Sequence, residues 1–261
     1  MQRDKPWQEI RTDVRTLYAD HLAHALDLLH LARADAEAPS ASAQALHSRR
    51  RAMSAIIHGF CSIEAVLNFM AYRIFTLEDS PEYIPTENRD FFLQSMIRRW
   101  DKLRLVEKCN AVLTVSDGAL LPNGLQSRLS EVNTLRNWIV HGTCYHSTLL
   151  VSPAPEVHIM YEVVDEERGK SWKDWEDKFP TCKFNQPLAL DHTDAQTALR
   201  IVIEALLTLS RRTGFKWFFT TCVPNMVACG LDGSLESDLD RILGIEKTEP
   251  DKCSVRAGAR R

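Results

Sequence analysis

Several sequence features that would assign the protein to a class directly are missing from this chain of 261 residues. Its seven cysteines are odd in number and none forms a CxxC pair, so a disulfide framework is not expected. No P-loop, dinucleotide fingerprint, HExxH or GxSxG motif occurs, and the sequence therefore gives no signal for the enzyme classes that use them.

Long apolar runs and an excess of positive charge are also missing. The late stretch GFKWFFTTCVPNMVACG is broken by Lys216, Pro224 and Asn225 and is too short to span a bilayer. The first residues, MQRDKPWQEIR, lack the apolar centre of a signal peptide. Because 32 basic residues face 35 acidic ones, any site for a polyanion must be local. We expect a cytoplasmic protein that does not contact a membrane.

The sequence is rich in apolar residues at helical spacing. Hydrophobic residues make up 44% of the chain and charged residues 26%, which is typical of a globular protein with a sizeable core. The spacing predicts long helices at about 7–34, 43–75, 125–141 and 193–214, with one or two shorter helices within 91–113. At the start of the last helix, Thr193 and Gln196 have the spacing of a capping box.

The pattern changes after the third long helix. The stretches STLLVSP and EVHIMYEVV are rich in β-branched and apolar residues, which predicts two short strands within an insertion at about 145–190. The predicted fold class is therefore all-α: a helical bundle over residues 1–214, with a small β-hairpin insertion before its last core helix. Residues 215–261 form a C-terminal extension whose tail we expect to be disordered.

The stretch LRNWIVHG ends the third long helix and contains an anomaly. Arg136 lies about 20° from Leu129 on a helical wheel, inside the apolar sector. A guanidinium keeps its charge in a protein, so a buried one needs an anionic partner or a route to solvent. One candidate partner is Glu64, which lies within the apolar stripe of the second helix. The other is a phosphate ligand, and the two can coexist.

His141 adds a group that can take and give a proton near neutral pH. It lies about 140° from Arg136 on an ideal helix. The two side chains can meet on one ligand only if the helix unwinds at 140–142, or if a second copy of the helix supplies one of them. This geometry favours a composite site at a two-fold dimer interface. Asn137 precedes His141 by four residues, so the two side chains can touch.

The segment RNWIVH resembles the R-polar-x-x-x-H motif of the HEPN domain, a helical-bundle superfamily rich in metal-independent ribonucleases and toxins. Its placement agrees with that family, because it ends a helix and follows a long helix, AIIHGFCSIEAVLNFMAYRIF, with a core acidic residue, while another amphipathic helix comes after it. The resemblance covers roughly residues 43–214. It does not extend to the insertion or to the chain after Gly214.

The resemblance implies a homodimer whose paired motifs form one cleft for RNA, with no cofactor and no metal. Arg136 would hold the scissile phosphate, His141 would act as general acid or base, and Asn137 would orient His141 or contact the RNA backbone. Cleavage by the ribose 2′-hydroxyl would leave a 2′,3′-cyclic phosphate. The implied setting is a bacterial toxin or an antiviral defence effector. Some toxin members carry a tyrosine two residues after the histidine; here Thr143 stands there, which puts regulation by a nucleotidyltransferase antitoxin in doubt.

Two alternatives stay open at this point. A non-catalytic HEPN-like module that binds RNA or protein would have Arg136 fully engaged by Glu64 and hidden from solvent. A zinc-stabilised scaffold would use His141, Cys144 and His146, although no fourth ligand stands nearby at a standard spacing. Several basic groups and tryptophans could flank an RNA path. The alternative is that they lie on solvated helix faces or in the core. They are HSRRR, IRRW, Arg211–Arg212, Trp100, Trp138 and Trp217.

Overall fold

The computed structural model describes residues 17–38, 41–76, 97–141, 146–150, 160–165, 170–171, 178–186, 189–213 and 235–244. Most of these residues are helical, so the predicted all-α class is confirmed for them. The α-helices are α1 Tyr18–Glu37, α2 Ala41–Thr76, α3 Leu105–Asp117, α4 Asn123–His141, α5 His192–Thr213 and α6 Leu235–Ile242, and the 3-10 helix Ile97–Lys102 precedes α3.

Short strands follow α4 in the chain. Strand β1, His146–Leu150, pairs antiparallel with β2, Met160–Asp165, so that Leu150 lies opposite Met160. Strand β3, Lys170–Ser171, pairs antiparallel with the end of β2. Whether residues 145–190 form one β-hairpin insertion stays a prediction, because 151–159, 166–169 and 172–177 lie outside the described residues.

Helix α2 is the central element of the bundle. It packs against α1, α3, α4 and α5, and its length confirms the helix predicted at 43–75. Ala45–Tyr72 is long and apolar enough to span a membrane, with a mean hydropathy of 1.4, but 56% of that window is buried inside the bundle. The apolar character of α2 is thus used for packing on several sides. Its largest fully buried side chains are Ile56, Phe60, Ile63, Leu67 and Met70.

The other predicted helices are found with shifted ends. Helix α1 continues to Glu37, three residues past the predicted end, and its predicted beginning near Trp7 lies outside the described residues. The motif helix α4 begins two residues before the predicted 125 and ends at the predicted His141. Gly142, expected to end this helix, is also outside the described residues.

The core extends beyond the predicted boundary at residue 214. Helix α6 packs on α5 and contributes Leu239 to the hydrophobic core. Arg33 of α1 donates to the carbonyl oxygen of Leu243 at 3.1 Å and to Gln196 Oε1 at 2.9 Å. Part of the predicted extension is therefore integral to the bundle. The expected disordered tail, 245–261, lies outside the described residues.

The predicted capping box at Thr193 is wrong, because Asp191 caps α5 instead. Asp191 Oδ1 accepts hydrogen bonds from the backbone N–H of Thr193 at 2.7 Å and of Asp194 at 3.3 Å, and Gln196 is used by Arg33. Burial would raise the pKa of Asp191, but the hydrogen bonds from Thr193 and Asp194 outweigh it and lower the pKa. A carboxylate at this position also suits the positive end of the helix dipole.

We expect Asp191→Ala to lower the free energy of unfolding by about 1 kcal/mol, the usual cost of a lost N-cap. Thr193→Ala is the matched control and should cost less than half as much, since its hydroxyl only donates to Asp191. Urea titration at neutral pH measures both. Because the carboxylate is stabilised in the folded state, the difference between wild type and Asp191→Ala should shrink as the pH falls below about 4. Equal losses in the two variants would contradict this assignment.

Candidate functional site

The motif helix α4 is fixed in place by polar contacts on two sides. The buried carboxylate of Glu131 accepts the backbone N–H groups of Thr181 at 3.1 Å and Cys182 at 2.8 Å. Arg128 donates two hydrogen bonds of 2.8 Å to the carboxylate of Glu204 on α5. A bidentate arginine–carboxylate pair restricts orientation as well as distance. The sequence interpretation did not identify Glu131, whose partners are the backbone of a distant loop.

Arg136 lies at the packing face between α4 and α2 and is half-buried. Its guanidinium carbon is 5.0 Å from the ring centroid of Phe60, which is only 2% exposed. Nη1 donates to Asn137 Oδ1 at 2.9 Å. Nε is buried and has no hydrogen-bond acceptor among the described residues. The aromatic face and the amide are both neutral, so they solvate the cation without cancelling its charge.

Glu64, a candidate partner of Arg136, does not pair with it. Among the described residues no ion pair or hydrogen bond joins the two side chains, although both act on the thiol of Cys61. Burial raises the pKa of Cys61, while Arg136 opposes that shift and Glu64 adds to it. In place of the candidate contact with Glu64, the guanidinium of Arg136 donates a hydrogen bond to Asn137.

His141 is the last residue of α4, and its side chain is exposed. The helix is continuous through Val140 and His141, so unwinding at these two residues does not bring His141 towards Arg136. The side chain of His141 points to solvent, whereas the guanidinium of Arg136 packs on Phe60 of α2. A single chain does not join these two predicted site residues. The side-chain Oδ1 of Asn137 accepts a hydrogen bond from Arg136 rather than from His141.

Most of the basic groups and tryptophans considered for an RNA path have other partners. Three arginines from these groups form ion pairs: Arg51–Asp35 and Arg211–Asp238 at 2.7 Å, and Arg212–Asp117 at 2.6 Å. Trp100 is buried and donates to Asn68, and Lys178 Nζ lies 4.3 Å from the ring centroid of Trp138. These contacts are typical of ion pairs between neighbouring helices and of side-chain packing in a core. Trp217 lies outside the described residues.

The alternative zinc site cannot be assembled from the residues that the structure describes. Cys144 lies outside them, and so does the side chain of His146. Within the described ranges no group of three or more His, Cys, Asp or Glu side chains is arranged to hold a metal ion. What these ranges do assemble is a half-buried cation, Arg136, with neutral partners, on the same helix that ends in the exposed imidazole of His141.

Comparisons with protein-family models, with curated proteins and with solved structures give no significant match to this chain. The resemblance to HEPN domains therefore rests on the motif and on its position in the bundle.

The reactivity of Cys61 reports on the charges of Arg136 and Glu64. Arg136→Gln removes the cation that opposes the raised pKa of Cys61, so we expect Cys61 to be alkylated severalfold more slowly near pH 8. Glu64→Gln should have the opposite effect and speed alkylation, because only the thiolate reacts. Peptide mass spectrometry after timed treatment with iodoacetamide measures each cysteine separately.

Cys182 is the internal control for this experiment. Burial and Glu131 raise its pKa to about 12, and neither variant changes those groups. If both variants changed the rate at Cys61 in the same direction, altered exposure of the thiol would explain the result, and the assigned charge arrangement would be wrong.

Proposed function

We propose that the protein is a metal-independent endoribonuclease of the HEPN type that acts as a homodimer. One observation supports this most: Arg136 is a permanent, half-buried cation with an unused buried N–H and no counter-ion among the described residues. A half-buried guanidinium loses part of its hydration, and a bound anion offsets that loss. A phosphodiester supplies that anion, and its oxygens match the two parallel donors of a guanidinium.

In the proposed reaction, Arg136 binds the scissile phosphate and stabilises the charge that develops on its oxygens. The ribose 2′-oxygen attacks phosphorus and loses its proton to a base, while the P–O5′ bond breaks and O5′ takes up a proton. His141 serves as one partner in these proton transfers. The products are a 2′,3′-cyclic phosphate and a 5′-hydroxyl. Asn137 is a positioning residue, because its amide oxygen holds Nη1 of Arg136.

The separation of Arg136 and His141 in one chain favours a site shared by two chains. Helix α4 keeps the two side chains on different faces, and a two-fold axis near its end would bring His141 of each copy towards Arg136 of the other. Val140, beside His141, is 45% exposed. Val140 is thus accessible to a second copy in the proposed dimer.

The biological setting proposed from the resemblance is that of a toxin or antiviral defence effector in the cytoplasm, with RNA as substrate. A regulatory partner fits this setting. Modification by a nucleotidyltransferase antitoxin does not, because Thr143 occupies the position of the modified tyrosine.

The alternative function is a non-catalytic module that binds RNA or protein. It requires Arg136 to be fully engaged by Glu64 and hidden from solvent. The hydrogen bond to Asn137 and the unpaired Nε give it less support than the nuclease hypothesis.

Purified protein should cleave single-stranded RNA in the presence of EDTA, and end-group analysis should find 2′,3′-cyclic phosphates. His141→Ala should lower the cleavage rate by about 10²–10⁴-fold, the usual contribution of general acid–base catalysis. Arg136→Lys should lower it by about 10²–10³-fold, since lysine keeps the charge but not the fork of donors. His30→Ala, an exposed histidine on α1, is the matched control and should cleave like wild type.

Circular dichroism of each variant checks that the bundle is retained. RNA binding by wild type without cleavage would favour the non-catalytic module. Cleavage by His141→Ala at the wild-type rate would remove His141 from the mechanism.

A mixing experiment tests whether the site is shared between chains. Arg136→Ala and His141→Ala should each be inactive alone. When equal amounts of the two variants are unfolded together and refolded, half of the dimers contain one chain of each variant. Each mixed dimer has one site with an intact Arg136 from one chain and an intact His141 from the other. We therefore expect activity to recover to about a quarter of the wild-type level. No recovery, with mixed dimers shown by native mass spectrometry, would mean that both residues act within one chain.

A further inference from the structure

Three histidines meet where α1 packs against α2. His21 and His24 lie on α1, and His58 lies on α2. The Nδ1 atoms of His21 and His58 are 3.1 Å apart, and their ring centroids are separated by 5.3 Å. The ring of His24 contacts His58 edge-on, with centroids 4.5 Å apart. The cluster thus joins two helices whose contact is the most extensive in the described part of the chain.

The contact between His21 and His58 constrains their protons. A hydrogen bond between two Nδ1 atoms needs one of them protonated and the other with an open lone pair. One added proton can be held on the donor ring, whose charge strengthens the bond. A second proton fills the lone pair of the acceptor, so two N–H groups and two positive rings then face each other. The contact between the two Nδ1 atoms therefore tolerates one added proton but is opposed by a second.

Among the described residues, no carboxylate is found among the groups that act on the charge of His58. On α1 the titratable groups acting on it are His21 and His24. On α2, Cys61 lies one turn further along with a raised pKa, and the field of Arg136 from α4 reaches that thiol. No carboxylate among the described residues forms an ion pair with any of the three histidines. Burial, His24 and His21 all lower the pKa of His58.

We propose that His21, His24 and His58 form a proton-sensitive contact that holds α1 against α2 at neutral pH and weakens on acidification. The proposal does not depend on the ribonuclease activity. The sign follows from linkage. A histidine whose pKa is lower in the folded than in the unfolded chain binds fewer protons when folded, so stability is retained above the unfolded value near 6.5 and is lost as the pH falls below it.

The test has a direct part that uses the wild-type chain. Histidine Cε1–H resonances followed by NMR from about pH 8 to about pH 5 give the titration of each ring. We expect His58 to titrate at lower pH than the ordinary histidine value of about 6.5. The resonance of His47, an exposed histidine on the same helix, is followed as a reference. A chelator is present throughout to keep metal ions from binding the rings. Titration of His58 at or above that ordinary value would overturn the proposal.

The second part measures the effect on stability. Urea midpoints near pH 8 and near pH 5 are compared for wild type, His58→Gln and His47→Gln. The midpoint of wild type and of His47→Gln should fall clearly between the two pH values, and that of His58→Gln should fall less. An equal fall in all three proteins would contradict the proposal. If His58→Gln does not fold, His21→Asn takes its place, and the NMR titration of wild type still decides.

Discussion

The burial of α2 on several sides is the constraint on which the rest of the structure depends. A helix in this position can accept neighbours only where its side chains leave room. At Gly59 the approach of α5 is so close that a Cβ atom would collide with Cδ2 of Leu199. Glycine costs up to about 1 kcal/mol in a helix interior, and here its lack of a side chain lets the two helices meet. Polar groups are left to the partly exposed side of α2, which carries His58, Cys61 and Glu64.

The charges of the bundle differ in how they are compensated, and Arg136 shares with the buried Lys108 an amide oxygen and an aromatic ring as partners. Asp238 is completely buried but lies between Arg211 and Arg241. Glu131 is buried and accepts two backbone N–H groups. In both cases, hydrogen-bond donors within the fold replace the hydration that the carboxylate loses on burial. Arg136 has an aromatic ring and one amide oxygen, which is weaker compensation. That difference supports the proposal that its guanidinium binds a phosphate.

The candidate site and the histidine cluster both depend on α2. The ring of Phe60 packs against the guanidinium of Arg136. His58, two residues earlier in the chain, contacts α1. The same rigid helix therefore fixes a permanent cation on one side and proton-binding rings on another. The two proposals assign these features different variables: an anionic ligand for Arg136, and pH for the histidines.

The sequence by itself determined where the helices lie. A helix that buries one face has apolar residues at a regular spacing, and this spacing can be recognised within each segment of the sequence. The helix at 41–76 and the end of α4 at His141 were predicted closely in this way. The position of Arg136 inside an apolar stripe, and its separation from His141, also follow from the helical repeat alone. The capping box was misassigned because Thr193 and Asp191 are both good capping residues, and only the backbone conformation selects between them.

Only the tertiary structure decided which side chains meet. Phe60, Asn137 and the unpaired Nε define the surroundings of Arg136, and the expected pairing with Glu64 depended on a rotation of two helices that no spacing specifies. Glu131 and the three histidines find partners far away in the chain. Such contacts are set by the angle and offset at which helices pack. These depend on the fit of all their side chains at once.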